Sequence, residues 1–333
     1  MSFRARLRTL VTSPIRGVSA LIEPPAIALL YHRISHARPD TQSLCVTPEH
    51  FEQHLEVLAK EVSVISPADL CDRMKHGKAF TSPSVLITFD DGYADNAHVA
   101  VPTLEKHSLP ALFFIATEFV GTGKEMWWDR AERCLFEPSH LPPELSLDIN
   151  GAMVRFATKT PAELQKVMGG LHPILKYLRP GGQEHILSQL HRWSNTSSTT
   201  REAYRSMTWD ELSRMASSSC VTIGSHSHTH TPFRILSEDE QRYEFIHSRT
   251  LLESCIGSAV TFFSFPYGLL KDYGEATEIL CRQTGYTSGY ANVPDHIHRW
   301  TSPYRIPRML VRDWEKAEFR ERLRSLLGTF PRV

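Results

Sequence analysis

Residues 84–92 read SVLITFDDG, and this stretch predicts a buried strand that ends in a polar turn. Its apolar, β-branched run is typical of a strand covered on both faces. Two adjacent carboxylates, Asp90 and Asp91, are costly to place where such a strand meets a loop without a counter-charge. Adjacent strand residues point to opposite sides, so a turn must redirect one of them, and Gly92 provides the backbone freedom. Either a metal ion binds one carboxylate and leaves the other as a base, or the pair forms a solvated turn without function.

Runs of the same kind recur along the chain, separated by helical patterns. The strand predictions are Ala26–Tyr31, Val62–Ile65, Val85–Phe89, Ala111–Ile115, Val221–Ser225, Val260–Phe265 and Ile306–Val311. The helix predictions are a segment that Thr47 caps and Pro48 begins, Asp95–His107, Trp209–Ser217, Ser237–Cys255, Tyr273–Thr284 and Trp314–Leu327. Strands that alternate with helices indicate parallel βαβ units with the helices outside. We therefore predict an α/β fold, a distorted (β/α) barrel of about seven parallel strands, with functional groups at the C-terminal strand ends.

Residues from about 121 to 205 break this alternation. They show no strand pattern but several amphipathic helical pieces with Pro- and Gly-rich joints, so we predict a helical insertion between two barrel strands. The insertion either shapes a substrate groove or packs on the side of the barrel. The barrel domain with its insertion is predicted to cover residues 26–333, behind a basic N-terminal segment of residues 1–25.

The composition argues against several classes of protein. The 37 Lys and Arg residues balance 37 Asp and Glu residues, so no electrostatic attraction to nucleic acid is expected. None of the six cysteines forms a CxxC pair, which argues against a zinc ribbon or a redox motif. Pro14 and Arg16 interrupt the apolar stretch of a signal peptide, and no apolar run approaches the roughly 18 residues that span a bilayer. We expect a cytoplasmic protein, with a basic N-terminal helix on a membrane surface as the alternative.

A second polar cluster, IGSHSHTH at Ile223–His230, follows another apolar run. Neutral imidazoles suit borderline divalent metals, and two of them with one carboxylate leave coordination positions for water and substrate. His226 and His230 are four residues apart, so both can face one ion where the loop turns into a helix. His228 lies between them and competes for the ligand role. Such a cluster in a chain that also contains Asp90–Asp91 favours a metal site over ordinary loop residues.

These motifs resemble a known family. TFDDG at Thr88–Gly92 and HSHTH at His226–His230 are similar to the first two motifs of the polysaccharide deacetylase superfamily, the NodB-homology or carbohydrate esterase family 4 domain. Weaker similarity extends from YHRI at Tyr31–Ile34 to RIPR at Arg305–Arg308. WWD at Trp127–Asp129 resembles a subgroup common in capsule and exopolysaccharide gene sets. The resemblance implies a metal-dependent hydrolase that removes N-acetyl groups from amino sugars, with an acetylated amino-sugar glycan as its substrate.

The resemblance also implies roles for residues of the two motifs. Asp90 would be the general base, while Asp91, His226 and His230 would hold one divalent metal ion. His228 would then be a spacer. Zinc suits this ligand set, although cobalt, nickel and manganese can also occupy it.

The third family motif departs from the usual pattern. It normally reads Arg-x-Pro-Tyr, but Ser264–Gly268 here reads SFPYG, which resembles the FAYPYG variant. The arginine that orients the base in the family is therefore absent. Tyr267 is expected to contribute its backbone N–H as an oxyanion donor. Arg308, which arrives from a later strand, is our hypothesis for the missing guanidinium.

The general acid also departs from the family pattern, because the late Leu-x-His motif that usually supplies it is absent. In relatives that deacetylate poly-N-acetylglucosamine, a histidine after the first strand fills this role, and here that residue is His32. The alternative is a histidine that only caps a strand end. His296 and His298 compete for the acid role. The WW pair at residues 127–128 either stacks on sugar faces or packs in a core.

Two other functions are compatible with the same motifs. The first is a catalytically inactive glycan-binding domain, which the missing third-motif arginine favours. The second is an O-deacetylase, or a deacetylase of a lipid-linked or small sugar. Measured release of acetate from ester-linked and amide-linked acetyl sugars distinguishes these functions.

Overall fold

The computed structural model describes residues 23–197 and 199–328. All but the last three residues of the predicted N-terminal segment lie outside these ranges, as does the predicted membrane-surface helix. Within the described ranges, no helix is both long enough and apolar enough to cross a bilayer.

Strands and helices alternate along most of the described chain. Strands β1 to β12 are Ala26–Tyr31, Arg33–Ile34, Cys45–Val46, Ser63–Val64, Ser84–Phe89, Ala111–Ile115, Glu144–Ile149, Ala152–Ala157, Val221–Ser225, Phe262–Ser264, Ser288–Tyr290 and Met309–Leu310. Helices α1 to α10 are Pro48–Glu61, Pro67–Lys75, Val101–His107, Trp127–Phe136, Pro161–Lys176, Pro180–Ser194, Trp209–Ala216, Glu238–Ile256, Glu275–Gln283 and Lys316–Leu327. Each predicted strand corresponds to an observed one, within a few residues at either end.

The main sheet is parallel and has the strand order β11-β10-β9-β6-β5-β1-β12, with β4 paired to the first residues of β5. Tyr290 of β11 also bridges Ile306, just before β12, so one chain segment connects the two edges of the curled sheet. This architecture confirms the predicted distorted (β/α) barrel. We did not predict β11, because Ser-Gly-Tyr contains no apolar run for a strand pattern to detect.

Alternation along the strands divides the sheet into two apolar faces. Ile87 and Phe89 of β5 belong to the large buried cluster between the sheet and the helices. Leu86 belongs to a second cluster that includes Phe114 and fills the barrel interior. Truncation of such buried side chains to alanine typically costs about 2–5 kcal/mol of unfolding free energy. Even-numbered residues of β5 point inward, so Asp90 directly after the strand continues the interior face.

Two helix predictions show how local chemistry sets helix boundaries. Thr47 caps α1 as predicted, because its side chain accepts a hydrogen bond from the His50 N–H at 3.4 Å. The helix predicted over Asp95–His107 begins instead with a π turn at Asn96–Ala100. Pro102 lacks an N–H to donate to the preceding turn, and the wider π turn lies just before it.

The prediction that the insertion contains only helices is wrong, because β7 and β8 form an antiparallel hairpin within it. The turn residues Asn150 and Gly151 have φ values of 56° and 83°, as a tight hairpin turn requires. Alternating residues Leu145 and Leu147 are buried in a cluster with helices α4 to α6. The Asn-Gly pair between alternating segments was the signal that we missed, since it is a strong short-range indicator of a hairpin.

Candidate metal and catalytic site

The site begins where β5 ends, with Asp90 and Asp91 directed to the same region. Asp91 has a φ of 76° and Gly92 a φ of 83°, so the backbone reverses its normal alternation at these residues. Asp91 would otherwise point to the helical side of the sheet. Both carboxylates are buried, with exposed fractions of 3% and 2%. The turn predicted from the sequence therefore exists, and Asp91 itself adopts the left-handed conformation together with Gly92.

Asp91, His226 and His230 bring three possible metal-binding atoms together. Asp91 Oδ1 lies 3.5 Å from His226 Nε2 and 3.3 Å from His230 Nε2, and the two nitrogens are 3.2 Å apart. Three atoms bound to one tetrahedral ion at about 2.1 Å would lie about 3.4 Å from one another. Among the described residues, these three side chains form a group whose donor atoms are close enough together to hold a metal ion. The donor set and its spacing therefore fit a divalent metal.

Contacts around His226 fix its orientation and its neutral form. Its Nδ1–H donates to the Ser264 carbonyl oxygen at 2.8 Å, which leaves the Nε2 lone pair directed at the cluster. Burial lowers the pKa of His226 to about 4, although the charge of Asp90 opposes the shift. Neutral imidazole is the form that binds metals, so this environment suits a ligand.

The loop that carries His230 is held by short polar contacts. Ser227 has a φ of 65° and His230 a φ of 58°, and the Ser227 hydroxyl accepts a hydrogen bond from the His230 N–H at 3.1 Å. His228 points elsewhere: its Nδ1 lies 2.9 Å from the Thr117 hydroxyl, and its ring contacts His247 edge-on. The carboxylate of Glu244 accepts from the His228 N–H at 2.7 Å and holds the loop. The structure thus brings His226 and His230 together and excludes His228 from the donor set.

Arg308 forms a two-pronged contact with Asp90. Its Nη1 donates to Asp90 Oδ1 at 2.7 Å and its Nη2 to Oδ2 at 2.8 Å. Nη2 also donates to the Ser264 hydroxyl at 2.7 Å, and Nε donates to the Ala291 carbonyl at 3.1 Å. Burial raises the pKa of Asp90, but the Arg308 charge and hydrogen bonds outweigh it and hold that pKa well below its usual range. Asp90 is therefore ionised and fixed in orientation.

The third-motif loop forms one wall of the site. Tyr267 and Gly268 have φ values of 61° and 65°. A Cβ on Gly268 would lie 2.5 Å from the Asn292 backbone nitrogen, so only glycine fits this approach. The Tyr267 hydroxyl accepts a hydrogen bond from the Trp127 indole at 3.0 Å, and the Tyr267 ring lies 4.7 Å from that of His230. The loop thus places Tyr267 directly beside a candidate metal ligand.

His32 follows the C-terminal end of β1 and lines the same pocket as the carboxylates. Asn96 donates to its carbonyl at 2.8 Å, while its buried Nδ1 has no partner among the described residues. Burial lowers the pKa of His32, opposed by the charges of Asp91 and Asp90. A lowered pKa makes the protonated imidazole a stronger acid.

The two histidines that compete with His32 lie at the opposite end of the barrel. Ile297, between them, pairs with Ala26 at the start of β1. His296 bonds to the Leu326 carbonyl, and His298 stacks on Trp300. Neither lines the pocket that contains His32.

The WWD segment contributes to the site through buried hydrogen bonds. The Trp128 indole donates to the Tyr93 hydroxyl at 2.8 Å, which in turn donates to Asp129 at 2.7 Å. The Trp128 ring lies 5.2 Å from the His230 ring and lines the pocket. Trp127 and Trp128 are only 5% and 3% exposed, so both pack in a core, with one of them at the pocket wall.

A pocket lies above the donor cluster, and its lining includes Asp90, Asp91, His226 and His230. Its lining includes residues that the sequence did not point to, namely Gln42, Leu44, His172, Lys176, Leu269, Asn292, Leu310 and Arg312. Two of these, His172 and Lys176, come from helix α5 of the insertion. The insertion therefore shapes the pocket, one of the two roles that we considered for it.

Comparison with protein families gives a match to the polysaccharide deacetylase model over residues 77–141 and 173–289, together more than half of the chain. The hairpin of the insertion lies in the gap between the two matched segments. YxkH of Bacillus subtilis (strain 168), whose name describes it as a polysaccharide deacetylase, is 34% identical over 94 residues. This match covers 28% of the present chain and 32% of YxkH, so it spans about a third of that relative.

Several solved structures share the fold. Deacetylase PplD of Streptococcus pyogenes, solved with acetate, has a TM-score of 0.58 at 14% identity, over 90% of this chain and 98% of its own. IcaB of Ammonifex degensii has a TM-score of 0.58 at 16% identity, over 92% and 97%. A de-N-acetylase of Aggregatibacter actinomycetemcomitans has a TM-score of 0.54 at 16% identity, over 90% and 99%. At these identities the similarity concerns the fold.

Proposed function

Because the chain belongs to the polysaccharide deacetylase family, we propose that it is a metal-dependent hydrolase that removes N-acetyl groups from amino sugars in a polysaccharide or oligosaccharide. The resemblance of its WWD segment to capsule and exopolysaccharide proteins supports a glycan of that class. The de-N-acetylase that shares the fold supports an amide as the bond to test first.

The candidate metal ligands are Asp91, His226 and His230, whose donor atoms all lie within 4.8 Å of one another. A divalent ion bound there would polarise the acetyl carbonyl and lower the pKa of a water molecule. Zinc is the metal that the donor set suits best, with cobalt, nickel and manganese as alternatives.

In the proposed reaction, Asp90 removes a proton from the attacking water. Its ionised state and its contact with Arg308 support this role, because a general base must be unprotonated and correctly directed. Arg308 acts through Asp90 and is a positioning residue in this scheme.

The remaining steps concern the oxyanion and the leaving amine. We assign the Tyr267 N–H to hydrogen bonding of the developing oxyanion, which its place on the pocket wall supports. We assign His32 to protonation of the departing amine, since it lines the same pocket and its burial makes it a stronger acid. Apolar residues Leu44, Trp128 and Leu310 on the pocket walls suit the acetyl methyl group.

The observation that carries the proposal is the paired contact of Arg308 with Asp90 beside the metal-binding triangle. An inactive glycan-binding domain was the rival function that the missing third-motif arginine favoured. A guanidinium at that carboxylate removes the reason for preferring this rival.

Acetate release tests the proposal directly. The zinc-loaded protein should release acetate from N-acetylglucosamine oligomers, and Asp90→Asn should lower the rate by about 10²–10⁴-fold. An O-acetylated sugar serves as the second substrate. Faster release from the ester than from the amide would point to an O-deacetylase, whereas glycan binding without acetate release from either would point to the inactive domain.

A further inference from the structure

The pocket is lined by two basic side chains, Lys176 and Arg312. Lys176 is neutralised by a carboxylate, because its Nζ lies 2.7 Å from Asp272 Oδ1. The same ammonium lies 4.4 Å from the centre of the Tyr267 ring, which attracts it through a cation–π contact. Lys176 therefore connects the insertion to the third-motif loop and has little charge left for a ligand.

Arg312 is placed differently, because no carboxylate of the described residues lies within ion-pair distance of it. Its Nη1 donates to the backbone carbonyls of Gln42 and Ser43. A guanidinium carries five N–H donors, so these contacts from one nitrogen leave donors on the others. Burial lowers the pKa of Arg312, opposed by the charge of Asp40, which is consistent with a partly desolvated cation that lacks a direct partner.

The backbone around Arg312 is fixed to the barrel. Leu310 of β12 pairs with Leu30 of β1, and the Val311 N–H donates to the Leu30 carbonyl at 2.9 Å. His32 follows the same end of β1, and the charge of Arg312 acts on it. Arg312 therefore lies two residues after the end of β12, on backbone that the bond from Val311 to Leu30 holds close to the proposed acid, and binding an anion would require little reorganisation.

The other charges that line the pocket are paired, whereas Arg312 has no negatively charged partner among the lining residues. Arg308 balances Asp90, and Asp272 balances Lys176. A divalent ion would more than balance Asp91. Arg312 then adds to a positive surplus in a pocket that is partly shielded from water, where an anionic group on the ligand is favoured.

We propose that Arg312 selects the substrate, and that the substrate is an acetylated amino-sugar glycan with an anionic group, a carboxylate or a phosphate, close to the reacting acetamide. This inference rests on the proposed deacetylase function for its substrate class. Guanidinium recognises both anions through paired hydrogen bonds, so the chemistry at this position is shared by uronate sugars and phosphorylated sugars.

Binding measured without turnover tests the assignment. The protein is the zinc-loaded full chain with Asp90→Asn, and the metal-depleted native chain gives the same comparison without a substitution in the site. The probes are a tetrasaccharide of alternating N-acetylglucosamine and glucuronate and its carboxyl methyl ester. N-acetylglucosamine 6-phosphate and N-acetylglucosamine form a second pair, which distinguishes phosphate from carboxylate.

We expect at least one anionic probe to bind about tenfold more tightly than its neutral partner by calorimetry. Arg312→Gln should abolish this preference, and Arg312→Lys should keep part of it. Arg155→Gln removes the same charge from the exposed insertion hairpin and should leave the preference unchanged. Equal affinity for the charged and neutral probes of both pairs, or a preference that survives Arg312→Gln, would overturn the proposal.

Acetate release from the same probes separates the two proposals. An Arg312-dependent binding preference without acetate release from any probe would rule out the proposed deacetylase function and support Arg312 as an anion-binding residue. Acetate release at equal kcat/KM from the glucuronate tetrasaccharide and its methyl ester, unaffected by Arg312→Gln, would support the deacetylase function and rule out selection by Arg312.

Discussion

Arg308 and Asp90 are 218 positions apart in the chain, yet two hydrogen bonds of 2.7 and 2.8 Å join the guanidinium to both oxygens of the carboxylate. Both side chains are almost completely buried. The Ser264 hydroxyl contacts both groups and fixes them against β10. This pair holds a charged carboxylate beside the metal-binding triangle in a place where an unpaired charge would be strongly destabilising.

Arg308→Gln is expected to lower kcat for acetate release by about 100-fold with a smaller effect on KM. The reason is that Asp90 loses its orientation, while the contacts between the pocket and the substrate remain. The free energy of unfolding should fall by about 3–5 kcal/mol, since a buried carboxylate is left unpaired. The double variant Asp90→Asn/Arg308→Gln should recover part of that stability in urea unfolding. Equal losses of stability in the single and double variants would show that the two side chains do not act as a pair.

Asp91→Asn, His226→Gln and His230→Gln should each reduce bound zinc from about one ion per chain to a small fraction of that, because each removes one of three donors. His228→Gln is the matched control in the same motif, since its ring bonds to Thr117 instead. Elemental analysis after dialysis measures the zinc. Loss of zinc in the His228 variant and retention in the His226 variant would contradict the ligand assignment.

His32→Gln should lower acetate release by about 10²–10⁴-fold while zinc content stays unchanged, because the side chain is assigned to proton transfer and not to metal binding. His296→Gln should retain native activity, since that side chain bonds to the Leu326 carbonyl away from the pocket. Rates and zinc content measured on the same preparations separate the two roles. An active His32 variant would return this residue to a strand-end capping role.

His54 predicts a pH dependence of stability that is independent of the metal site. Its Nε2–H donates to the Trp314 carbonyl at 2.7 Å, and its ring stacks on Phe319 at 3.9 Å. Burial lowers the pKa of His54 to about 4, opposed by the hydrogen bond to Trp314. Between this pKa and the unfolded value of about 6.5, the unfolded chain binds a proton that the folded chain does not. The contribution of neutral His54 to the free energy of unfolding is therefore fully present above pH 6.5 and is lost as the pH falls toward 4.

Urea unfolding at pH 7.0 and pH 4.5 measures this contribution. His54→Gln keeps a donor for Trp314 and removes the titration, so the stability lost between the two pH values should be smaller by on the order of 2 kcal/mol than in the native chain. The difference between the two chains isolates His54 from other groups that titrate in this range. An identical loss in both chains would mean that His54 does not contribute.

The sequence predicted elements and residues whose signals are local. Ala26–Tyr31 and Ala111–Ile115 are strands at the predicted residues, because an apolar run between turn signals is enough to identify a buried strand. The hairpin around Asn150–Gly151 had a local signal that we overlooked. Ser288–Tyr290 had no such signal, because its pairing with β10 makes it a strand and its composition does not.

The sequence by itself narrowed the candidate metal donors and the candidate base to Asp90–Asp91 and His226–His230, since these residues lie within short motifs and are neighbours along the chain. Only the tertiary structure decided what surrounds them. Arg308 reaches Asp90 because β12 pairs with β1 beside β5, and the same pairing brings Arg312 close to His32. Strand order and register depend on packing of the whole barrel, and no local pattern in the chain records which distant residues they bring into contact.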